Sequence, residues 1–254
     1  MYLYLYDNFL RQKSFVGTMK AIETRLTDFG IAGKIIRLQH FTAARELIDE
    51  EVKRGISTVV IVGNDLTFGT VLSSAATCQT IFGFLPVGKE ENSIASVLGI
   101  ATGVDACDVL SKRRILKLDI GWFNNRYFIS KLHIPPSPII VEYDERFMVS
   151  PRHGKMELVV CNLQPYRWRQ CGKSDIVVHP QDGKLEAFLR PLLSHGLWKE
   201  KYEDPSIFPF EEMTVFANKP FSVEADCRVS KEIKIKIHLA KNKIAMIVGK
   251  ERKF

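Results

Sequence analysis

The segment VVIVGNDLTFGTV, residues 59–71, decides how the chain is read. With Thr58 it opens as a β-branched run, 58–62, the mark of a strand covered on both faces. The run ends in Gly63-Asn64-Asp65-Leu66-Thr67, and a helical pattern begins from about Thr67. Ligands of open α/β sheets bind at the carboxyl ends of strands. Backbone N–H groups in such a loop, with a helix N-terminus behind them, suit a phosphate. Gly63 and Asn64 are residue types that tolerate unusual backbone angles there. A plainer role is equally open: Asp65 or Thr67 capping the helix.

Outward from this segment, strand and helix patterns alternate. Residues 2–6 and 34–38 read as strands. Between them Phe15, Met19, Ile22, Leu26 and Phe29 recur at helical spacing on one face, and Gly30 ends that helix. Thr42 can cap a helix carrying Ala44, Leu47, Ile48 and Val52, stopped by Gly55. A further apolar strand, 80–85, leads into LPVGKEENSIASVLGI, residues 85–100. Here a polar loop after Gly88 opens a helix near Asn92-Ser93, with Ile94, Val97 and Leu98 facing inward. This loop leaves the same sheet, so it can line the same cleft beside the 63–67 loop. Lys89 can reach a phosphate as a mobile point charge or stand in solvent.

After about residue 113 the pattern changes to short strand runs: 115–119, 126–130, 139–143, 156–161, 175–179, 185–189, 213–216, 222–225, 233–239 and 244–248. Residues 121–125 read as a turn between the first two. Pro135, Pro136 and Pro138 argue against a central strand there, because proline donates no ladder hydrogen bond. The fold class expected is an α/β N-terminal domain, a parallel sheet with flanking helices, over 1–125, followed by a C-terminal β-sandwich domain over 126–254. Whether the last strand returns to the first domain is left open.

Composition narrows the function. No stretch approaches the roughly 18 apolar residues of a membrane span. The start, MYLYLYDNFL, has no basic lead and is interrupted by Asp7, so it reads as a buried strand and the protein as cytoplasmic. The five cysteines (Cys78, Cys107, Cys161, Cys171, Cys227) form no C-x-x-C, which disfavours disulfides and zinc. His40, His133, His153, His179, His195 and His238 have no metal-like spacing. Trp168 between Arg167 and Arg169 is one isolated cluster, too little for a nucleic-acid partner. The net charge of +7 is concentrated at the end: 231–254 holds eight Lys/Arg against two Glu. That region can meet phosphates or an anionic membrane surface, or be a solvated strand face, since Lys234 to Leu239 alternates polar and apolar.

The two loops resemble the paired signatures of the diacylglycerol kinase catalytic family, which is related to sphingosine and NAD kinases. G-G-D-G-T is matched at Gly63, Asp65 and Thr67. P-x-G-T-G-N-D-x-A-x-x-L-G is matched at Pro86, Gly88, Asn92, Ala95, Leu98 and Gly99, with one extra residue in the loop. Further on, 159–162 is similar to V-V-x-N. Asp182, Gly183 and Leu185 are similar to D-G-x-L-D, and Asp226 to the aspartate of a late D-G-E. The likeness is collinear over roughly 1–245 and resembles a diverged bacterial branch. The family's opening N-P-x-S-G is absent, with Asp7-Asn8-Phe9 in its place. Leu66 replaces a glycine, and Cys227-Arg228 replaces Gly-Glu.

The resemblance implies an ATP-dependent lipid kinase that phosphorylates a diacylglycerol-like hydroxyl, with ATP and Mg²⁺ as cofactors. It implies nucleotide binding by Gly63, Asn64, Asp65, Thr67, Gly88, Lys89, Asn92 and Ser93. Asp65 and Asp226 become the catalytic candidates and Asp182 a ligand of a structural Mg²⁺. The partners are a nucleotide and a lipid at an anionic membrane surface, which makes the protein cytoplasmic or peripheral at the inner face; a homodimer is left open. The altered positions support a second reading, a pseudokinase that binds nucleotide or lipid without turnover. A third is phosphorylation of a soluble hydroxyl compound.

Overall fold

A computed structural model of the chain describes residues 1–38, 44–88, 92–143, 147–151, 154–167, 174–195, 200–226 and 228–254. Of the residues singled out above, His40, Thr42, Lys89, His153, Trp168, Arg169, Cys171 and Cys227 lie outside the described ones. The chain divides into two compact units, Met1–Leu118 with Asn242–Phe254, and Asp119–Lys241.

The first unit runs β1 (Tyr2–Asp7), α1 (Val16–Asp28), β2 (Lys34–Leu38), α2 (Ala44–Lys53), β3 (Thr58–Gly63), α3 (Asp65–Ala75), β4 (Ile81–Pro86), α4 (Ser93–Val97), α5 (Ala106–Lys112) and β5 (Ile115–Leu118). All six residues of β3 are buried, as a β-branched run in a sheet covered on both faces requires. Met19, Ile22 and Leu26 bury one face of α1. Gly30 follows its C-cap Phe29 with φ 67°, a left-handed turn that glycine adopts without a Cβ clash. β1 pairs in parallel with β2 on one side and β3 on the other, and β3 with β4. The chain order thus reverses between β1 and β3, the topological switch point of this sheet.

The second unit holds β6 (Gly121–Phe123), β7 (Arg126–Phe128), β8 (Lys131–Ser137), β9 (Ile140–Tyr143), β10 (Phe147–Val149), β11 (Met156–Cys161), β12 (Leu185–His195), β13 (Glu200–Tyr202), β14 (Ser206–Phe210), β15 (Glu212–Ala225) and β16 (Arg228–Leu239). These eleven strands form one antiparallel sheet. Apolar residues from nearly all of them share a single core, among them Phe123, Leu132, Val141, Leu158, Leu189, Phe210, Val215 and Ile237. The sandwich is therefore one sheet folded around its own buried face. After it, β17 (Ile244–Ile247) stands in the first unit, parallel to β4 and antiparallel to β5.

The structure differs from the sequence reading at several places. The division falls after Leu118, not after residue 125, because β6 pairs with β16 of the second unit. Residues 121–123 are a strand; the turn narrows to Asn124 and Asn125 at φ 39° and 65°, the double left-handed geometry of a tight hairpin. Pro135 and Pro136 do lie within a strand, β8. They sit where its register with β11 shifts, between Ile134 opposite Leu158 and Ser137 opposite Met156, so the missing N–H groups fall in the irregularity. Residues 175–179 form only one bridge, Ile176 to Tyr166. The runs 213–216 and 222–225 are one strand, β15, with an irregularity between Phe216 and Phe221.

Candidate functional site

β1 and β3 deliver Asp7 and Gly63 to the carboxyl edge of the sheet, on either side of the switch point. Asn64 is extended (φ −106°) and caps α3: its Oδ1 accepts from Thr67 N at 3.0 Å, and Thr67 Oγ1 accepts from Asn64 N at 3.4 Å. The cap is thus Asn64 rather than Asp65, with Thr67 as its reciprocal partner. The Thr67 hydroxyl also donates to Asp7 Oδ2, so the first strand is tied to the loop. Gly63 does not occupy the left-handed region. It is glycine because a Cβ would stand 2.6–2.9 Å from the Thr67 side chain. In the first turn of α3, Asn64 meets the N–H groups of Thr67 and Phe68. The N–H groups of Asp65 and Leu66 have no partner among the described residues and mark the positive end of the helix.

Asp65 joins this loop to the next one. Its Oδ2 accepts from Ser93 Oγ at 2.8 Å and from Ile94 N at 3.1 Å. Asn92 stands at the N-cap of α4 without a side-chain cap bond, and Asp65 supplies that acceptor from across the sheet edge. Its other oxygen, Oδ1, is buried and has no hydrogen-bond partner among the described residues. Burial pushes the Asp65 carboxyl above its ordinary range, against the bonds from Ile94 and Ser93. Gly88, at φ 151°, takes a backbone that side chains disfavour and turns β4 into the second loop. α4 is also held at its far end. Gly249 N donates to Leu98 O at 2.8 Å and Lys253 N to Val97 O at 2.9 Å. Gly99 (φ 68°) leaves room for the Arg252 backbone, which a Cβ would meet at 2.4 Å.

Asn64, Asp65, Thr67, Ser93 and the Gly88 turn are therefore brought together; Leu66 projects beside them, 48% exposed. Asp7 belongs to the cluster and was not singled out as a site residue. Its position after the first strand, where the family places a phosphate-binding turn, was the available signal.

Asp226 and Asp182 lie in the second unit. Asp226 is buried at φ 43°, and its carboxylate accepts from Ile129 N at 2.7 Å and Ser130 N at 2.8 Å. Burial outweighs these bonds and pushes its pKa up to about 6. Asp182 is exposed and accepts from Lys184 N at 3.0 Å. Glu186 is pushed up to about 7, first by burial and then by the charge of Asp182. Also in this unit, a cavity of about 530 Å³ is lined by Val149, Met156, Leu189, Leu192 and Leu193, among others.

Both loops leave the carboxyl ends of adjacent strands beside the switch point, the place where open α/β sheets bind their ligands. Residues 9–123 match the family model described as the diacylglycerol kinase catalytic domain. This stretch belongs to that family, as a diverged member. No curated protein matches the chain. Two solved structures from Bacillus anthracis str. Sterne are similar over nearly their whole length. One is a diacylglycerol kinase at 16% identity and TM-score 0.79, covering 99% of this chain and 98% of that one. The other, a candidate diacylglycerol kinase, is at 14% and 0.78 with the same coverage. At these identities the likeness speaks for the fold.

Proposed function

We propose that the protein is an ATP-dependent phosphotransferase acting on a lipid hydroxyl of the diacylglycerol type. The observation that carries this reading is Asp65, which links both loops at the switch point and keeps one carboxylate oxygen unpartnered. The N–H groups of Asp65 and Leu66 and the turn at Gly88 suit nucleotide phosphates. Asn92 and Ser93 stand in the same rim, and Lys89, next in sequence after Gly88, is the proposed cation for the phosphates. Among the described residues no three His, Cys, Asp or Glu side chains come together, so there is no closed metal cage. A nucleotide-borne Mg²⁺ needs only one or two carboxylates beside the phosphates, and Asp65 fits that demand. When bound, the ion would neutralise charge on the transferring phosphoryl group.

Asp226 is the proposed base for the acceptor hydroxyl. Its raised pKa brings it nearer to the working range of a general base. Asp182 with Glu186 is the proposed seat of a structural Mg²⁺, which would offset the burial and the Asp182 charge that raise Glu186. The 530 Å³ cavity offers apolar lining for acyl chains. Exposed Arg228, Lys231, Lys234 and Lys236 with Val229 and Ile233 on β16 offer a basic, partly apolar strand to an anionic membrane surface. No helix among the described residues is long and apolar enough to cross a membrane.

A pseudokinase is the second reading. Leu66 stands exposed over the first turn of α3, and both Asp226 oxygens already hold backbone N–H groups. Mg-ATP turnover measured against diacylglycerol, other lipids and soluble alcohols, beside nucleotide binding by calorimetry, separates the two. Turnover with a lipid alcohol supports the kinase. Binding without turnover on any acceptor gives the pseudokinase, and neither binding nor turnover removes both.

A further inference from the structure

β11 and β12 place Glu157 directly opposite Arg190 on the face turned away from the core, while Met156, Leu158 and Leu189 point into it. Alternation would leave both charges in water. Instead described residues of the connection between these strands lie over that face: the Tyr166 ring stacks on Phe188 at 4.0 Å, and Tyr166 pairs with Ile176. Glu157 is left 2% exposed and Arg190 6%. Burying an opposed charge pair is no route to stability by itself. The geometry of this pair is also loose, with Arg190 Nε 3.7 Å from Glu157 Oε2.

The cover leaves a cavity of about 350 Å³ lined by Lys131, His133, Glu157, Tyr166, Arg167 and Arg190, among others. Glu157 sits against His133, Nε2 to Oε1 at 3.1 Å, so its charge faces a partner. His133 Nδ1 stands 3.8 Å from Glu224 on β15. The Arg190 guanidinium lies 4.1 Å over the Tyr202 ring. Of its five N–H donors, one makes a hydrogen bond among the described residues, to Tyr166 Oη at the long distance of 3.5 Å, and Nε is buried without one. Lys131 has no ion-pair partner among the described residues. Among the described lining residues, Lys131 and the under-bonded Arg190 thus bring positive charge to a cavity whose carboxylate, Glu157, already has His133 against it.

We propose that this cavity is a binding site for a phosphate group, distinct from the nucleotide loops of the first unit. An oxyanion would satisfy the under-bonded, buried Arg190 and pair with Lys131 by charge-assisted bonds.

The test uses the full chain and the His133 ring proton signals, assigned by their loss in His133→Asn. Inorganic phosphate is titrated at fixed ionic strength with chloride as the balancing ion. A second arm uses phosphatidic acid vesicles, with phosphatidylcholine vesicles as control. Saturable movement of the His133 signals by phosphate, weakened about tenfold or more in Lys131→Met, supports a site for free phosphate. Movement by phosphatidic acid vesicles alone supports the same site with a lipid headgroup as its source. No movement in either arm, or equal movement in Lys131→Met, overturns the proposal. Arg190→Lys gives a second, independent weakening, and an unchanged urea-unfolding midpoint of Lys131→Met shows that its loss of binding is not a loss of fold.

Discussion

Asp65 and Asp226 are both shielded from water, both accept from backbone N–H groups, and both have raised pKa values, yet they are built differently. Asp65 uses one oxygen, on Ser93 and Ile94, and leaves the other without a partner. Asp226 engages each oxygen with its own N–H group, at Ile129 and Ser130, from a left-handed backbone. The first arrangement holds two loops together and leaves one buried acceptor without a partner among the described residues. The second fixes the turn between β7 and β8. A carboxylate aligned with a family motif can therefore be a ligand-facing group or a structural clamp, and the distribution of its bonds tells which role comes first.

The largest expected effect is at Asp226. Asp226→Ala strands two N–H groups in the interior, which should destabilise the second unit by about 3 kcal/mol. All three tryptophans, Trp122, Trp168 and Trp198, fall within 119–241. Their fluorescence during urea unfolding therefore follows this unit; a loss below about 1 kcal/mol would break the clamp reading. The pH dependence has a definite sign. An unfolded aspartate titrates near about 4, whereas Asp226 is pushed up to about 6. The folded state binds the proton more tightly, so the stability contributed by this group is full below about 4 and is lost as pH rises through about 6. Asp226→Asn should flatten that slope.

The two units were unequally legible. The 59–71 segment displayed its strand, its loop and its helix within thirteen consecutive residues, because burial on both faces and capping are local demands. The pairing of Asp65 with Ser93 also follows from two loops leaving adjacent strands. What stayed hidden was non-local. Nothing near Glu157 or Arg190 announces that the following connection will cover them, so an outward face reads as solvated. Pro135 and Pro136 looked disqualifying because the register shift that accommodates them is set by β11, a strand some twenty residues on. Likewise, the reason for Gly63 is the Thr67 side chain rather than its own backbone angles.

A middle-sized effect on stability, and the largest on function, is expected at Asp65. Asp65→Ala removes the acceptor that caps α4 and should cost about 1 kcal/mol, visible as faster amide exchange at Ile94. Asp65→Asn retains an acceptor and should cost less. If the protein is a kinase, Asp65→Asn should nonetheless lower turnover by about a hundredfold or more, since an amide cannot supply the lost charge. Turnover unchanged in Asp65→Asn would leave Asp65 a cap and nothing else, erasing its contrast with Asp226.

The smallest effect should come from Leu66, and it bears on what the spare oxygen of Asp65 faces. Leu66 is the second residue of α3, 48% exposed, so replacing it with glycine loses little burial. The backbone cost of glycine in a first helical turn is at most about 1 kcal/mol. Its N–H group is one of the two donors at the positive end of the helix without a partner among the described residues, and its side chain rises from the same spot. If that side chain stands in the path of a phosphate, Leu66→Gly should raise nucleotide affinity, by up to about tenfold for a modest steric cost removed. If the loop has been reshaped around leucine, the same change should weaken binding, because the freed backbone must be ordered again when the nucleotide arrives. Calorimetric titration with ATP in the presence of Mg²⁺, run on the wild type and on Leu66→Gly, reads the sign directly. A rise in affinity without turnover would make Leu66 the residue that separates this chain from an active kinase. A fall, with turnover in the wild type, would make leucine a working part of the phosphate loop.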